Sequence, residues 1–137
     1  MEPFQTGIIP KKFTTLPCYT SLNSPHGLAR YLPSFVFYMK LLTGPLAWLC
    51  RRASAGSCDD ATWTYGSAWF ADLLEESGCS MIIEGLDILE KCTSPCVFIA
   101  NHMSTLETFL LPSIIRPCLP VTFVVKDSLV RMPLFGP

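Results

Sequence analysis

Val97-Phe98-Ile99-Ala100-Asn101-His102-Met103-Ser104-Thr105-Leu106-Glu107 passes from a short apolar run, through a polar pair, into a segment of helical length. A short apolar run suits a buried strand, and residues 105–115 are long enough for a helix. Polar residues at the carboxyl end of a strand, just ahead of a helix, stand where α/β folds build their sites. The stretch predicts an α/β domain with Asn101 and His102 at its working end.

Outward from this stretch the pattern continues. Residues 80–84 are short and apolar, and residues 121–125 are β-branched, so the expected order is strand, strand, helix, strand. Gly85 and the turn at 92–95 punctuate the first two strands. Residues 79–137 are read as one unit, without internal repeats or low-complexity tracts.

Upstream, Asp59 or Asp60 can cap a helix on which Trp63, Ser67, Phe70 and Leu74 share a face, with Glu75 and Glu76 opposite and Gly78 at its close. Before it, residues 32–50 are mostly Leu, Phe, Val, Met and Trp. As one helix they would reach about 28 Å, near the hydrocarbon thickness of a bilayer. Against a span stand Lys40, which costs about 3 kcal/mol on insertion scales, and Gly44-Pro45, which removes a helix hydrogen bond. An interfacial or re-entrant helix is expected, with Arg51-Arg52 among headgroups and Tyr38 and Trp48 in the interfacial belt. The alternative is a buried core helix. Residues 31–78 thus read as a membrane-docking helical hairpin, or as ordinary helix pairing against the domain that follows. Residues 1–30, with Pro3, Pro10, Pro17 and Pro25 and no period, are expected to be a poorly ordered extension.

Composition agrees with a membrane surface or a missing partner, because 50% of the 137 residues are hydrophobic and only 15% charged. The net charge is −1 and the ten Lys and Arg residues are scattered, which excludes a basic stripe for nucleic acid. Seven cysteines, an odd number, without a secretory pattern ahead of them, point to reduced thiols facing a cytosol. Cys92 and Cys96 suggest a metal site, but no second pair completes four ligands, so turn thiols are the plainer reading.

His102 and Glu107 carry the candidate chemistry. Within one helix they would stand about 140° apart around the axis and would not meet. If His102 precedes the helix and Ser104 or Thr105 caps it, Glu107 falls in the first turn and can reach back. One imidazole nitrogen then donates to the carboxylate and the other is left as a base, the arrangement that acyl transfer to an alcohol needs. Equally, Ser104-Thr105-Leu106-Glu107 fits the S-x-x-E capping box, in which the carboxylate serves the helix alone. The N–H groups opening the helix are a further candidate, for an oxyanion or a phosphate.

The run 97–107 resembles the first motif of the phospholipid and glycerol acyltransferases, the 1-acylglycerol-3-phosphate acyltransferase family, in which the pattern is Asn-His-x-Ser-x-x-Asp, with Glu in a minority. Val124-Val125-Lys126-Asp127-Ser128-Leu129-Val130-Arg131-Met132-Pro133-Leu134-Phe135-Gly136 is similar to the family's next motif, Lys-x-x-Leu-x-x-x-Pro-x-Phe-Gly. Ile82-Ile83-Glu84-Gly85-Leu86-Asp87 is similar to the strand and glycine turn before the first. The resemblance implies a mixed-sheet acyltransferase domain on the cytoplasmic face of a membrane, active in phospholipid biosynthesis. It implies transfer of a fatty acyl group from acyl-CoA or acyl carrier protein to the hydroxyl of a lysophosphatidate-like acceptor. His102 would be the base, Glu107 its orienting partner, and Asn101, Ser104 and Lys126 substrate-binding residues, with Lys126 near the acceptor phosphate. No metal or resident cofactor is implied. The family continues into a block like Phe-Pro-Glu-Gly-Thr-Arg-Ser, for which Glu84-Gly85-Leu86 is no counterpart. The expectation is a C-terminally truncated domain, inactive at this length; the alternative is a non-catalytic membrane-binding fragment or pseudoenzyme.

Overall fold

The computed structural model describes residues 12–13, 17–21, 24–25, 27–101, 103–124 and 126–127. These form a mostly helical small domain with one two-stranded antiparallel sheet. In chain order they are β1 (Cys18–Ser21), a 3-10 turn (Gly27–Arg30), α1 (Pro33–Thr43), α2 (Pro45–Ser54), α3 (Asp60–Glu76), β2 (Met81–Glu84), α4 (Leu86–Lys91) and α5 (Leu106–Ile115).

The apolar stretch 32–50 is two helices, because Pro45 has no N–H to continue the first and instead opens the second. Gly44 joins them, its amide 2.8 Å from the Lys40 carbonyl oxygen. A Cβ at Gly44 would lie 2.7 Å from that oxygen, so the joint accepts only glycine without shifting backbone. Among the described residues no helix is long and apolar enough to cross a membrane.

α3 starts at Asp59, whose carboxylate accepts from the Thr62 amide at 2.7 Å, and gives way to Gly78 at φ +90°. Ser67, Phe70 and Leu74 are buried as their spacing predicts. So, however, are Ala61, Thr64, Gly66, Ala68 and Ala71, and α3 packs against α1, α2 and α5. Its small residues let neighbours approach on several sides; a Cβ on Gly66 would meet three carbons of Leu49 at 2.7 Å. α3 is therefore the central helix among the described residues. Trp48 is drawn inward too, its ring 5.4 Å from Tyr65 and 6.4 Å from Trp69. Tyr38 points out with Leu28, Tyr31, Phe35, Met39 and Leu42, all exposed on the 3-10 turn and α1.

Part of the N-terminal extension is ordered, contrary to expectation. β1 pairs antiparallel with β2 in the register Cys18 to Glu84 and Ser21 to Met81. Phe13, only 1% exposed, closes the core with Ala71 and Leu86. Lys12 holds Asp72 and Glu75 of α3 by ion pairs, and the Tyr19 hydroxyl donates to Glu75 at 2.5 Å. The prolines and the missing period conceal this, because a four-residue edge strand and one aromatic anchor leave no periodic trace.

The strand expected at 97–100 does not form. Val97 and Ile99 are 87% and 93% exposed, and the segment has no regular structure. β2 takes β1 as its partner, and an extended segment without a ladder leaves its N–H and C=O groups to solvent. The described part of 121–125 likewise forms no strand, although Phe123 packs on Trp63 with ring centroids 5.1 Å apart. α4 lies between Gly85 and the turn at 92–95, where no helix was expected. The α/β expectation thus reduces, among the described residues, to helices around one hairpin-like sheet.

Candidate functional site

α5 carries Glu107 in its first turn and lies along α3. Pro112 sits inside α5, where it supplies no N–H to the helix ladder, and a side chain from α3 reaches the helix backbone there. Ser67 Oγ accepts from the Ser113 amide at 2.9 Å and donates to the Phe109 carbonyl, with the Leu110 carbonyl oxygen at 3.2 Å. A hydroxyl has one donor and two acceptor positions, enough to serve these backbone groups together. Phe70 stacks on Phe109 at 5.0 Å and Arg116 pairs with Asp60, so the two helices run antiparallel and are pinned at several levels.

At the open end of α5, the Glu107 carboxylate turns back over the preceding loop. Oε1 accepts from the Met103 amide at 3.0 Å and the Ser104 amide at 3.2 Å; Oε2 accepts from Ser104 Oγ at 3.2 Å. Ser104 Oγ in turn accepts from the Leu106 amide at 3.0 Å. This is the carboxylate half of the S-x-x-E capping box: Glu107 takes the Ser104 amide, but the Ser104 hydroxyl takes the Leu106 amide and not that of Glu107, and the helix itself begins from Thr105. Glu107's own backbone amide is the main cause that holds its carboxyl below the ordinary glutamate value, and the Met103 and Ser104 amides add to it. The group is an anion at neutral pH. Of the N–H groups that open the helix after Ser104, that of Leu106 is taken by Ser104 Oγ.

Ser104 and Glu107 are therefore brought together as the sequence suggests. Asn101 is exposed in the irregular segment before them. His102 lies outside the described residues, as do Val125 and residues 128–137 of the second motif. Lys126 is exposed, three residues beyond Phe123. No group of three or more His, Cys, Asp or Glu among the described residues is arranged to hold a metal ion. Cys92 and Cys96 do meet, their sulfurs 3.6 Å apart.

Sequence reasoning placed Ser67 on the buried face of its helix but missed its hydrogen bonds to the backbone of the helix that carries Glu107. Its only local signal is a hydroxyl on an otherwise apolar helix face opposite a helix containing proline. Comparison of the chain with protein-family models, with curated proteins and with solved structures finds no match.

Proposed function

We propose that the chain carries the first part of a glycerolipid O-acyltransferase site. His102 removes the proton from the acceptor hydroxyl as that oxygen attacks the thioester carbonyl of acyl-CoA or acyl carrier protein. Glu107 orients the imidazole and stabilises the imidazolium, and the thiolate leaves with the proton returned by His102. Lys126 serves the phosphate of a lysophosphatidate-like acceptor, and Asn101 and Ser104 bind substrate.

The observation that carries this reading is the ionised Glu107 carboxylate folded back onto the amides of Met103 and Ser104, immediately beside position 102. A carboxylate has about four acceptor positions, so capping the loop and orienting a histidine are compatible tasks for it. Two motif-like blocks in the family's order support the same assignment.

Docking on a membrane surface fits the exposed aromatic and aliphatic face of the 3-10 turn and α1, with Arg30 at the end of that turn and Arg51 exposed on α2. That face also supports the second reading, a non-catalytic membrane-binding protein.

The test is phosphatidate formation from labelled acyl-CoA and lysophosphatidate in mixed vesicles, with the protein expressed from its natural gene. Turnover that falls at least about a hundredfold in His102→Ala, in line with loss of a general base, is expected. Turnover unchanged in that variant refutes the mechanism. Vesicle binding that survives His102→Ala with no turnover in any form selects the second reading.

A further inference from the structure

Cys92 and Cys96 lie outside the chemistry proposed above. Cys92 ends α4 and is partly buried; Cys96, exposed, begins the irregular segment that leads to Asn101. Between them Thr93-Ser94-Pro95 bends the chain back, placing the two sulfurs 3.6 Å apart, with the Ser94 carbonyl oxygen 3.6 Å from Cys92 Sγ. We propose that Cys92 and Cys96 form a dithiol site that closes reversibly to a disulfide by exchange with a small-molecule disulfide of the glutathione type.

The geometry needs little change. A disulfide requires sulfurs about 2.05 Å apart, so the pair must close by about 1.5 Å. Cys96 stands on a segment without helix or strand hydrogen bonds to break, and rotation of its side chain with a small backbone shift supplies the movement. The remaining five cysteines are also thiols, but this pair has its sulfurs already in van der Waals contact.

The exchange balances in two steps. One cysteine thiolate attacks a sulfur of oxidised glutathione; that S–S bond breaks and one glutathione leaves as its thiolate. The second cysteine thiolate attacks the resulting mixed disulfide at the protein sulfur and expels the second glutathione. One protein disulfide and two glutathione thiols result, and the two protons lost by the cysteines go to the two departing thiolates or to solvent. The hydrogen bond with Cys92 is the main cause that pushes the Cys96 thiol above its ordinary range, which slows exchange at neutral pH without changing which sulfurs meet. Closure ties the start of the segment carrying Asn101 to the end of α4. The proposal is independent of the acyl-transfer reading.

The test is equilibration of the unaltered chain in glutathione redox buffers, native and in urea, followed by acid trapping and peptide mapping. A Cys92-to-Cys96 bridge lighter by two hydrogens is expected, with an equilibrium constant at least about tenfold higher in the native chain, because folding raises the effective concentration of one thiol at the other. Cys92→Ser is expected to leave Cys96 as a mixed disulfide with glutathione. An equal or smaller constant in the native chain overturns the proposal. So does a native product in which both cysteines carry glutathione or bridge to other cysteines.

Discussion

Replacing Ser67 by alanine removes one oxygen and leaves two backbone groups of α5 without it. In the structure this hydroxyl stands between the Ser113 amide, at 2.9 Å, and the Phe109 carbonyl, the two groups that would bond each other in an uninterrupted helix. Ser67 is 3% exposed and Ser113 fully buried, so water does not replace the lost oxygen. A buried donor stripped of its partner costs about 1–3 kcal/mol, and the abandoned carbonyl adds to it. Partial closure of Ser113 onto Phe109 recovers some of this, at the expense of packing against α3. A net loss of about 2 kcal/mol is expected, which for a domain of this size lowers the melting temperature by about 8 °C. The three tryptophans, Trp48, Trp63 and Trp69, lie on α2 and α3 and report the unfolding by fluorescence in urea. Amide exchange provides the local readout: the Ser113 amide loses protection in Ser67→Ala beyond the global change. A loss under about 0.5 kcal/mol, with Ser113 protection unchanged, would refute the bridging role, since the cost of an unsatisfied buried amide would then be missing.

Two further perturbations test the packing and the electrostatics. Gly66→Ala places a methyl 2.7 Å from Leu49, so overpacking of about 1–3 kcal/mol outweighs the roughly 1 kcal/mol gained in helix propensity, and urea unfolding should move to lower concentration; a stabilised variant would show that α2 and α3 are less close. Burial pushes the Glu75 carboxyl up, but hydrogen bonds from Tyr19 and Lys12 together hold it below its ordinary value. Its contribution is present above the unfolded value and is lost as pH falls through the folded one, so Glu75→Gln should flatten the acid limb of stability against pH. Burial, then the Glu75 carboxylate, raises the Tyr19 phenol, whose contribution is complete below its unfolded value and is lost as pH rises through the folded one; Tyr19→Phe should remove this alkaline limb and, by taking away one of the hydrogen bonds that lower Glu75, weaken the acid one.

Local features were legible in the residues themselves. The break at Gly44-Pro45, the cap at Asp59, the strand at Met81–Glu84 and the Ser104 and Glu107 cap all follow from backbone chemistry within one turn of the chain. The run Val97-Phe98-Ile99 misled, because an apolar run signals a strand only if a neighbouring strand receives it, and β2 is paired with a segment more than sixty residues earlier. β1 and Phe13 were hidden for the converse reason: their order comes from β2, α3 and Leu86, not from any period of their own.

The stretch 97–107 shows the division. Its sequence alone placed the start of a helix at Ser104 or Thr105 and offered Ser104 and Glu107 as partners across its first turn, since these depend on hydrogen bonds a few residues long. Tertiary structure decided that the backbone of α5 beside Pro112 meets Ser67 of α3, and that Val97 and Ile99 are exposed. Each of these depends on which element arrives from elsewhere to satisfy, or leave bare, groups whose own sequence specifies only that they need a partner.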